Sequence, residues 1–168
     1  MGSYLWEKEK GKEKQMNKFY NEDLPFGEAG EKLVLGNIQT KYPTAYKMEG
    51  NFKEYDIAIP ELDKTVEVKR DKRADKTGNA FIETYCNKVA SGINTTTADY
   101  WVYLTESMLY WIESERLNEC IEVNNISESK NLNIQGKTID AYLIPIELLR
   151  QYCIRIDTLT EEQRCQLN

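Results

Sequence analysis

The stretch YDIAIPELDKTVEVKR, residues 55–70, decides the fold because it holds two short runs rich in β-branched residues on either side of a turn. If these runs pair as a hairpin across a tight turn at Glu61, then Asp56 lies opposite Glu67. Directly paired side chains point to the same side of a sheet, and successive side chains along a strand alternate between the two sides. We therefore expect a core face of mostly isoleucine and valine, and an opposite face on which Asp56, Glu67 and Lys69 lie together.

Two carboxylates and one ammonium group on the same face have a specific chemical use. Two close carboxylates repel each other, and at a partly dry site one of them takes up a proton unless a cation lies between them. Mg²⁺ suits such a site because it accepts one or two carboxylates together with water and phosphate oxygens. Lys69 beside the metal could activate or orient a water molecule, or stabilise the charge that builds up on a phosphorus centre. Phosphodiester hydrolysis needs all of these parts.

The composition of the chain restricts the chemistry further. Its 168 residues are 40% hydrophobic and 30% charged, with a net charge of −6, which is typical of a soluble globular domain. There is no histidine, so nucleophiles, metal sites and nucleases that rely on imidazole are excluded. The four cysteines have no zinc-binding spacing, and we expect them to be reduced and mostly buried.

The ends and apolar runs of the chain bear on its location. No apolar run approaches the roughly 20 residues that cross a bilayer, and the N-terminus lacks the apolar segment of a signal peptide. We expect a cytoplasmic, intracellular protein with no membrane partner. Residues 1–18, which contain EKEKGKEK, are expected to form a flexible or helical tail, and residues 19–168 a single domain.

Helices and further strands are predicted around the hairpin. A first helix is expected from Phe26, with Leu33, Val34 and Ile38 at helical spacing, and Pro43 prevents its continuation. Strands are expected in the segments AYKMEG, YDIAIP and KTVEVKR as an antiparallel meander, then in NAFIETYC, ADYWVYLTE and MLYWIES. Three segments remain: SERLNECIEV, a helix with Ser114 as N-cap; NNISESKNLNIQGK, a polar loop or hairpin; and AYLIPIELLRQYCI, a strand giving way to a helix near Pro145.

An acidic residue followed after a turn by E-x-K resembles the signature of the PD-(D/E)XK nuclease superfamily, including its small phage, bacterial and Holliday junction resolvase-like members. The signature reads Tyr55 and Asp56, then Glu67, Val68 and Lys69, so that Tyr55 replaces the proline of the name. The resemblance implies an α/β, restriction-endonuclease-like core with a central mixed β-sheet flanked by helices. It also implies Asp56, Glu67 and the Val68 carbonyl as metal ligands, and Lys69 as the catalytic lysine. The implied cofactor is Mg²⁺, for which Mn²⁺ can substitute.

Further acidic residues follow from the same resemblance, which covers roughly residues 26–106. The superfamily often adds a glutamate from the helix before the sheet, and Glu31 is in that position, with Glu28 one turn earlier as the fallback. Exposure on the surface is the alternative interpretation of Glu28. Glu83 is a candidate auxiliary acid, and a surface strand position is the equally weighted alternative.

Two sets of residues are predicted to contact nucleic acid. The first is the basic set that follows the hairpin and would border the phosphate backbone: Arg70, Lys72, Arg73 and Lys76. The second is a polar set that could hold a phosphate with its hydroxyls and backbone amides: Ser91, Thr95 and Thr96. A solvated loop is the alternative for the basic run. The aromatic residues alternate at strand spacing, which favours packing within the sheet over base stacking: Tyr100, Trp101, Tyr103, Tyr110 and Trp111.

These observations predict a Mg²⁺-dependent deoxyribonuclease, of the endonuclease type, that hydrolyses DNA through an Asp…Glu-x-Lys site. Two alternatives stay open. One is an inactive nuclease-fold module that binds nucleic acid or inhibits another protein, in keeping with the acidic net charge. The other is a ribonuclease. A homodimer is compatible with the short chain, since one small domain reaches only one strand of a duplex.

Overall fold

The structure is a computed structural model that describes residues 22–50 and 54–168. The tail predicted for residues 1–18 lies outside the described residues. Five helices are described: α1 Leu24–Gln39, α2 Ala74–Thr77, α3 Ser114–Val123, α4 Ile146–Tyr152 and α5 Glu161–Gln166. Ten strands are described: β1 Tyr46–Lys47, β2 Ile57–Ile59, β3 Lys64–Arg70, β4 Asn79–Cys86, β5 Val89–Ala90, β6 Tyr100–Leu104, β7 Met108–Glu113, β8 Glu128–Ile134, β9 Lys137–Pro145 and β10 Arg155–Thr158.

The central sheet has six strands in the order β1-β2-β3-β6-β7-β10. Strands β3 and β6 run parallel, and the other neighbours are antiparallel, so the predicted α/β class with a mixed central sheet flanked by helices is confirmed. The β2–β3 hairpin has the predicted register, with Ile57 opposite Val66 and Ala58 opposite Thr65. A single 3-10 turn, Pro60–Leu62, connects its strands.

A second sheet of four antiparallel strands, in the order β5-β4-β9-β8, was not predicted. The NAFIETYC segment forms β4 as expected, but it pairs with β9 instead of joining the central sheet. The reason is that β9 supplies a long partner strand, with register from Asn79 opposite Pro145 to Cys86 opposite Ile139. The polar segment before β9 adopts the hairpin alternative, as β8 and β9.

The central sheet is covered on both faces. On one face, α1 packs Leu33, Val34 and Ile38 against a core that includes Val66 and Val102. The other face carries aromatic residues that pack against β4, α3 and α4. Trp101, Tyr103 and Tyr110 are buried in this second core, which agrees with the packing interpretation of the aromatic residues. Two hydrophobic cores therefore hold the central sheet from opposite sides.

Several local features differ from the prediction. Ser114 is the first residue of α3 and not its cap, and its hydroxyl donates to the carbonyl of Ala98. Helix α1 starts two residues earlier than expected, since Pro25 fits its first turn. Strand β10 and helix α5 had no prediction. Every helix within residues 22–50 and 54–168 is too short or too polar to span a membrane.

The cysteines are free, as expected, but burial was overestimated. Cys120 is buried, Cys86 and Cys153 are half-buried, and Cys165 is exposed. Cys153 directly follows the end of helix α4, and Cys165 lies in the short helix α5. Hydrophobic composition alone does not distinguish these positions.

Arg70, the last residue of β3, ties three segments of the chain together. Its guanidinium donates to the carbonyl of Phe26 at 2.8 Å and to that of Leu167 at 2.6 Å, and stacks 3.7 Å from the centre of the Phe26 ring. Gly30 makes room for this contact, because a Cβ atom there would lie 3.2 Å from Arg70 Cδ and from Leu104 Cδ2. Arg70 therefore holds α1 and the C-terminal segment against the end of β3.

We predict that Arg70→Met lowers the free energy of unfolding by about 2–4 kcal/mol, because two carbonyls lose a charged donor. Arg73→Met is the matched control, since Arg73 is exposed and its removal is expected to change stability by less than about 0.5 kcal/mol. Urea denaturation followed by circular dichroism measures both. Equal effects of the two substitutions would contradict the structural role of Arg70.

Candidate active site

A cleft of about 240 Å³ brings the predicted catalytic residues together. Its walls come from helix α1, the β2–β3 hairpin, strands β4 and β6, and the turn that follows β5. Eight residues line this cleft: Glu31, Asp56, Glu67, Val68, Lys69, Glu83, Gly92 and Trp101. All four predicted catalytic residues and the auxiliary Glu83 are among them. Glu28, the fallback, is not among the lining residues, and its side chain is half exposed.

The hairpin register places Asp56 and Glu67 side by side. The pairing of β2 with β3 begins at Ile57 opposite Val66, and the backbone N–H of Asp56, just before β2, donates to the carbonyl of the same Val66 at 2.9 Å. Asp56 Oδ2 in turn accepts the backbone N–H of Val68 at 2.7 Å. Both residues line the cleft and the charge of Asp56 acts on Glu67, so the two carboxyl groups are close neighbours.

Burial and mutual repulsion dominate the electrostatics of this pair. Burial raises the pKa of Asp56 to about 6, although the hydrogen bond from Val68 opposes the change. Burial, followed by the negative charge of Asp56, raises the pKa of Glu67 to about 8, against the opposing effects of Thr96 and Lys69. At neutral pH the metal-free pair therefore retains a proton, as expected for two desolvated carboxyl groups with no cation between them.

Three hydroxyl residues expected to hold a phosphate instead make contacts within the protein. Ser91 Oγ donates to Glu83 Oε1 at 2.6 Å, and Thr95 Oγ1 donates to the Gly92 carbonyl at 3.1 Å. Thr96 Oγ1 lies 3.2 Å from Glu67 Oε2 and also contacts the Glu54 carbonyl at 2.8 Å. Phosphate binding by these three residues stays a prediction. Ser91 and Thr96 each hold one carboxyl group of the cleft.

Gly92 allows the turn after β5 to approach β4 closely. It has a φ of +53°, and a Cβ atom there would lie 2.2 Å from the Glu83 carbonyl oxygen, so only glycine fits. Ser91 is thereby brought within hydrogen-bonding distance of the Glu83 carboxylate. The pairing of β4 with β9 shifts register next to Glu83, between Glu83 and Tyr85. Glu83 is thus an acidic group that the second sheet contributes to the cleft of the central sheet.

Helix α1 presents Glu31 to the cleft together with a lysine that the sequence did not indicate. Lys47 Nζ, from β1, lies 2.7 Å from Glu31 Oε2 and 3.8 Å from Glu28 Oε1. Burial alone would lower the pKa of Lys47, but the hydrogen bond and charge of Glu31 outweigh it and raise that pKa. A lone lysine in a two-residue strand carries no sequence signal, since its position depends on how α1 packs against β1.

The predicted nucleic-acid contacts of the basic set are divided between two roles. Arg70 is engaged within the protein, as described above, whereas Lys72, Arg73 and Lys76 are exposed. Lys72 lies 4.6 Å from the centre of the Phe26 ring, and Lys72 and Arg73 line a second pocket of about 390 Å³ that also contains Arg70. The segment is not a simple loop, because α2 occupies its second half.

Trp101 lies opposite Glu67 in the parallel pairing of β3 and β6 and forms part of the cleft wall. The indole is 2% exposed. Its Nε1–H is the one buried side-chain polar atom without a hydrogen-bond partner within residues 22–50 and 54–168. By contrast, Trp111 Nε1 donates to Asp157 Oδ2 at 3.0 Å.

The donor set of the cleft fits a hard divalent cation. Its ligand atoms are carboxylate and carbonyl oxygens, and the paired, desolvated carboxyl groups of Asp56 and Glu67 gain most from a cation between them. No three acidic or thiol side chains in the described part of the chain come close enough together to hold a metal ion. The cleft nevertheless offers two carboxylates and the Val68 carbonyl, which would hold Mg²⁺ or Mn²⁺ with water or substrate completing the shell, and this metal site stays a prediction.

Comparison with models of known protein families finds no match for the chain, and comparison with curated proteins finds none either.

The raised pKa values predict how the stability of the metal-free protein depends on pH. At pH values between the ordinary pKa of a carboxyl group and the raised pKa values of Asp56 and Glu67, the folded state binds more protons than the unfolded state. The free energy of unfolding should therefore fall as the pH rises from about 5 to about 8. No histidine titrates in this window, so the pair dominates the change.

Urea denaturation in chelator at pH 5, 6.5 and 8 measures this dependence. Glu67→Gln should flatten it and raise stability at pH 8, because the amide carries no charge to desolvate. Thr96→Val leaves both carboxyl groups in place but removes a hydrogen bond that lowers the pKa of Glu67, so it should keep the pH dependence and extend it to higher pH. A wild-type protein that is as stable at pH 8 as at pH 5 would show that the pair is not protonated when folded.

Proposed function

We propose that this protein is a divalent-cation-dependent nuclease that hydrolyses phosphodiester bonds in DNA, with a restriction-endonuclease-like fold of the PD-(D/E)XK type. The observation that carries the proposal is the single cleft lined by Asp56, Glu67 and Lys69, in which burial and repulsion raise the pKa values of both carboxyl groups. An ordinary exposed strand face has no reason to desolvate two acids beside each other. A bound cation would stabilise both carboxyl groups in their ionised form.

The order of elements also supports the proposal. A helix that carries Glu31 precedes a three-stranded meander, and the meander carries Asp56 and the E-x-K residues. The central sheet is mixed and is flanked by helices. Tyr55 in place of the proline does not weaken the proposal, because the acidic residue that follows is the one whose carboxyl group enters the cleft.

Six of the eight residues that line the cleft have roles in the proposed reaction. Asp56, Glu67 and the Val68 carbonyl would hold Mg²⁺, which supplies Lewis-acid stabilisation of phosphate charge and a more acidic bound water. Lys69, next to Glu67 on β3, donates hydrogen bonds to the phosphate or to the attacking water and offsets the negative charge of the transition state. Glu31 and Glu83 supply further oxygen acceptors that can orient water.

The second pocket gives the nucleic-acid backbone a path away from the cleft. Lys69 lines the cleft, Arg70 ends strand β3, and Lys72 and Arg73 shortly after it line the second pocket. The net charge of the chain is −6 and the pocket is also lined by Glu22, Asp23 and Asp71, so phosphate would be held by direct contacts with Lys72 and Arg73 and not by a net positive charge. DNA is favoured as the substrate on the resemblance, and RNA is an outcome of the test below.

We predict that purified protein cuts DNA in Mg²⁺ or Mn²⁺ but not in chelator. Lys69→Met should lower the cleavage rate by about 100-fold or more, because an electrostatic stabiliser of the transition state is lost. Lys41→Met, which changes an exposed lysine outside both the cleft and the basic set, is the control and should retain full activity. Labelled duplex, single-stranded and four-way-junction DNA and single-stranded RNA, separated on denaturing gels, provide the measurement.

The outcomes of this assay separate the alternatives. Cutting of RNA alone would make the protein a ribonuclease with the same site. A folded protein that binds nucleic acid equally well with and without Lys69, and cuts none of the four substrates, would be a non-catalytic module. Activity that persists in chelator would contradict the role of the cation.

We also predict that Lys72→Ala and Arg73→Ala together weaken DNA binding and lower the slope of log affinity against log salt by about 2, since each phosphate contact contributes about 0.9. Lys41→Ala is the control, because Lys41 lies beside a different pocket at the end of α1. Fluorescence anisotropy of a labelled duplex in Ca²⁺, between 50 and 300 mM salt, measures the slope. An unchanged slope would remove these two residues from the interface.

A further inference from the structure

Lys47 lies beside the candidate active site and has no role in the proposed hydrolysis. Its ammonium group makes a 2.7 Å ion pair with Glu31, which lines the cleft, and a longer contact with Glu28. Its positive charge also acts on Asp56, one of the two carboxylates expected to hold the metal ion. Lys47 thus brings a positive charge belonging to the protein to two carboxylates of the cleft.

An ordinary surface salt bridge is the simplest alternative, and such pairs contribute little. The surroundings argue against it. The side chain of Glu31 is only 19% exposed and that of Lys47 is 34% exposed, so the pair is partly withdrawn from water. The Glu31 carboxylate is directed at Lys47. In the described part of the chain, no three acidic or thiol groups lie close enough together to hold a metal ion. The Glu31 carboxylate, which a second cation would need as a ligand, is thus already paired with Lys47.

The charge balance of the cleft also argues against a second divalent cation. Two ammonium groups, those of Lys47 and Lys69, act on its acidic groups. The acidic groups that line it are four carboxyl groups: Glu31, Asp56, Glu67 and Glu83. When all six groups are ionised, one divalent cation makes the cleft neutral. A second divalent cation would leave an excess of positive charge in a partly buried site, which is costly.

We propose that Lys47 takes the place of a second divalent cation, so that the site binds one metal ion per chain. The inference rests on the proposed function, since it concerns the metal requirement of that same cleft. Lys47 is a positioning residue: it acts through Glu31, which it holds and neutralises, and touches no reacting atom. Two-metal sites of phosphodiesterases provide two cations about 4 Å apart, and here an ammonium group provides the second charge.

Counting bound Mn²⁺ by electron paramagnetic resonance tests this proposal without reference to activity. The wild-type protein, free of nucleic acid, should bind one Mn²⁺ per chain. Lys47→Met should bind two, because Glu31 is released and the cleft loses one positive charge. The double substitution Lys47→Met with Glu31→Gln should bind one again, since the released carboxylate is then absent.

Lys64→Met is the matched control, because Lys64 makes an equally close ion pair, 2.8 Å from Asp99, outside the cleft. It should bind one Mn²⁺, as the wild type does. Circular dichroism verifies that each variant is folded, and Lys47→Gln replaces Lys47→Met if the latter is not. A wild-type protein that binds two ions, or a folded Lys47 variant that binds only one, overturns the proposal.

The cleavage assay separates this proposal from the nuclease function. If the wild type binds one ion and the Lys47 variant two, while no nucleic acid is cut, the proposed function fails and the role of Lys47 stands. If DNA is cut and the Lys47 variant binds one ion, the role of Lys47 fails and the function stands. A wild-type protein that binds no Mn²⁺ overturns both.

Discussion

The backbone pairing of β2 with β3 is the constraint on which the rest of the molecule depends. The register that sets Ile57 opposite Val66 decides which side chains share a face. If β3 slipped by one residue against β2, Val66 would turn towards the cleft and Glu67 towards the core, because side chains alternate along a strand. The apolar core under α1 and the acidic cleft on the other side are thus two results of one register.

The register could be predicted from the sequence because its determinants are local. Alternation within residues 55–70 and the turn between the two runs are sufficient to place Asp56, Glu67 and Lys69 on one face. The glutamate of α1 could be placed through helical spacing and the resemblance. In both cases the residues that matter are close in sequence or follow a regular period.

The rest of the molecule depends on contacts that are distant in sequence. Strand β4 pairs with β9, about sixty residues later, and nothing in either segment states which sheet it joins. Lys47 reaches Glu31 only because α1 packs across β1. Arg70 was expected to face nucleic acid, yet its partners are the carbonyls of Phe26 and Leu167, and the second is near the other end of the chain. Charge and composition do not reveal such partners.

The position of Trp101 has a practical consequence. Its indole is buried beside Glu67, forms part of the cleft wall and has an N–H without a partner in the described chain, whereas the N–H of Trp111 is bound to Asp157. Of the three tryptophans of the chain, Trp6 lies outside the described residues, and Trp101 is the one that lines the cleft. We therefore expect the intrinsic emission of Trp101 to respond when the cleft fills, without an attached dye.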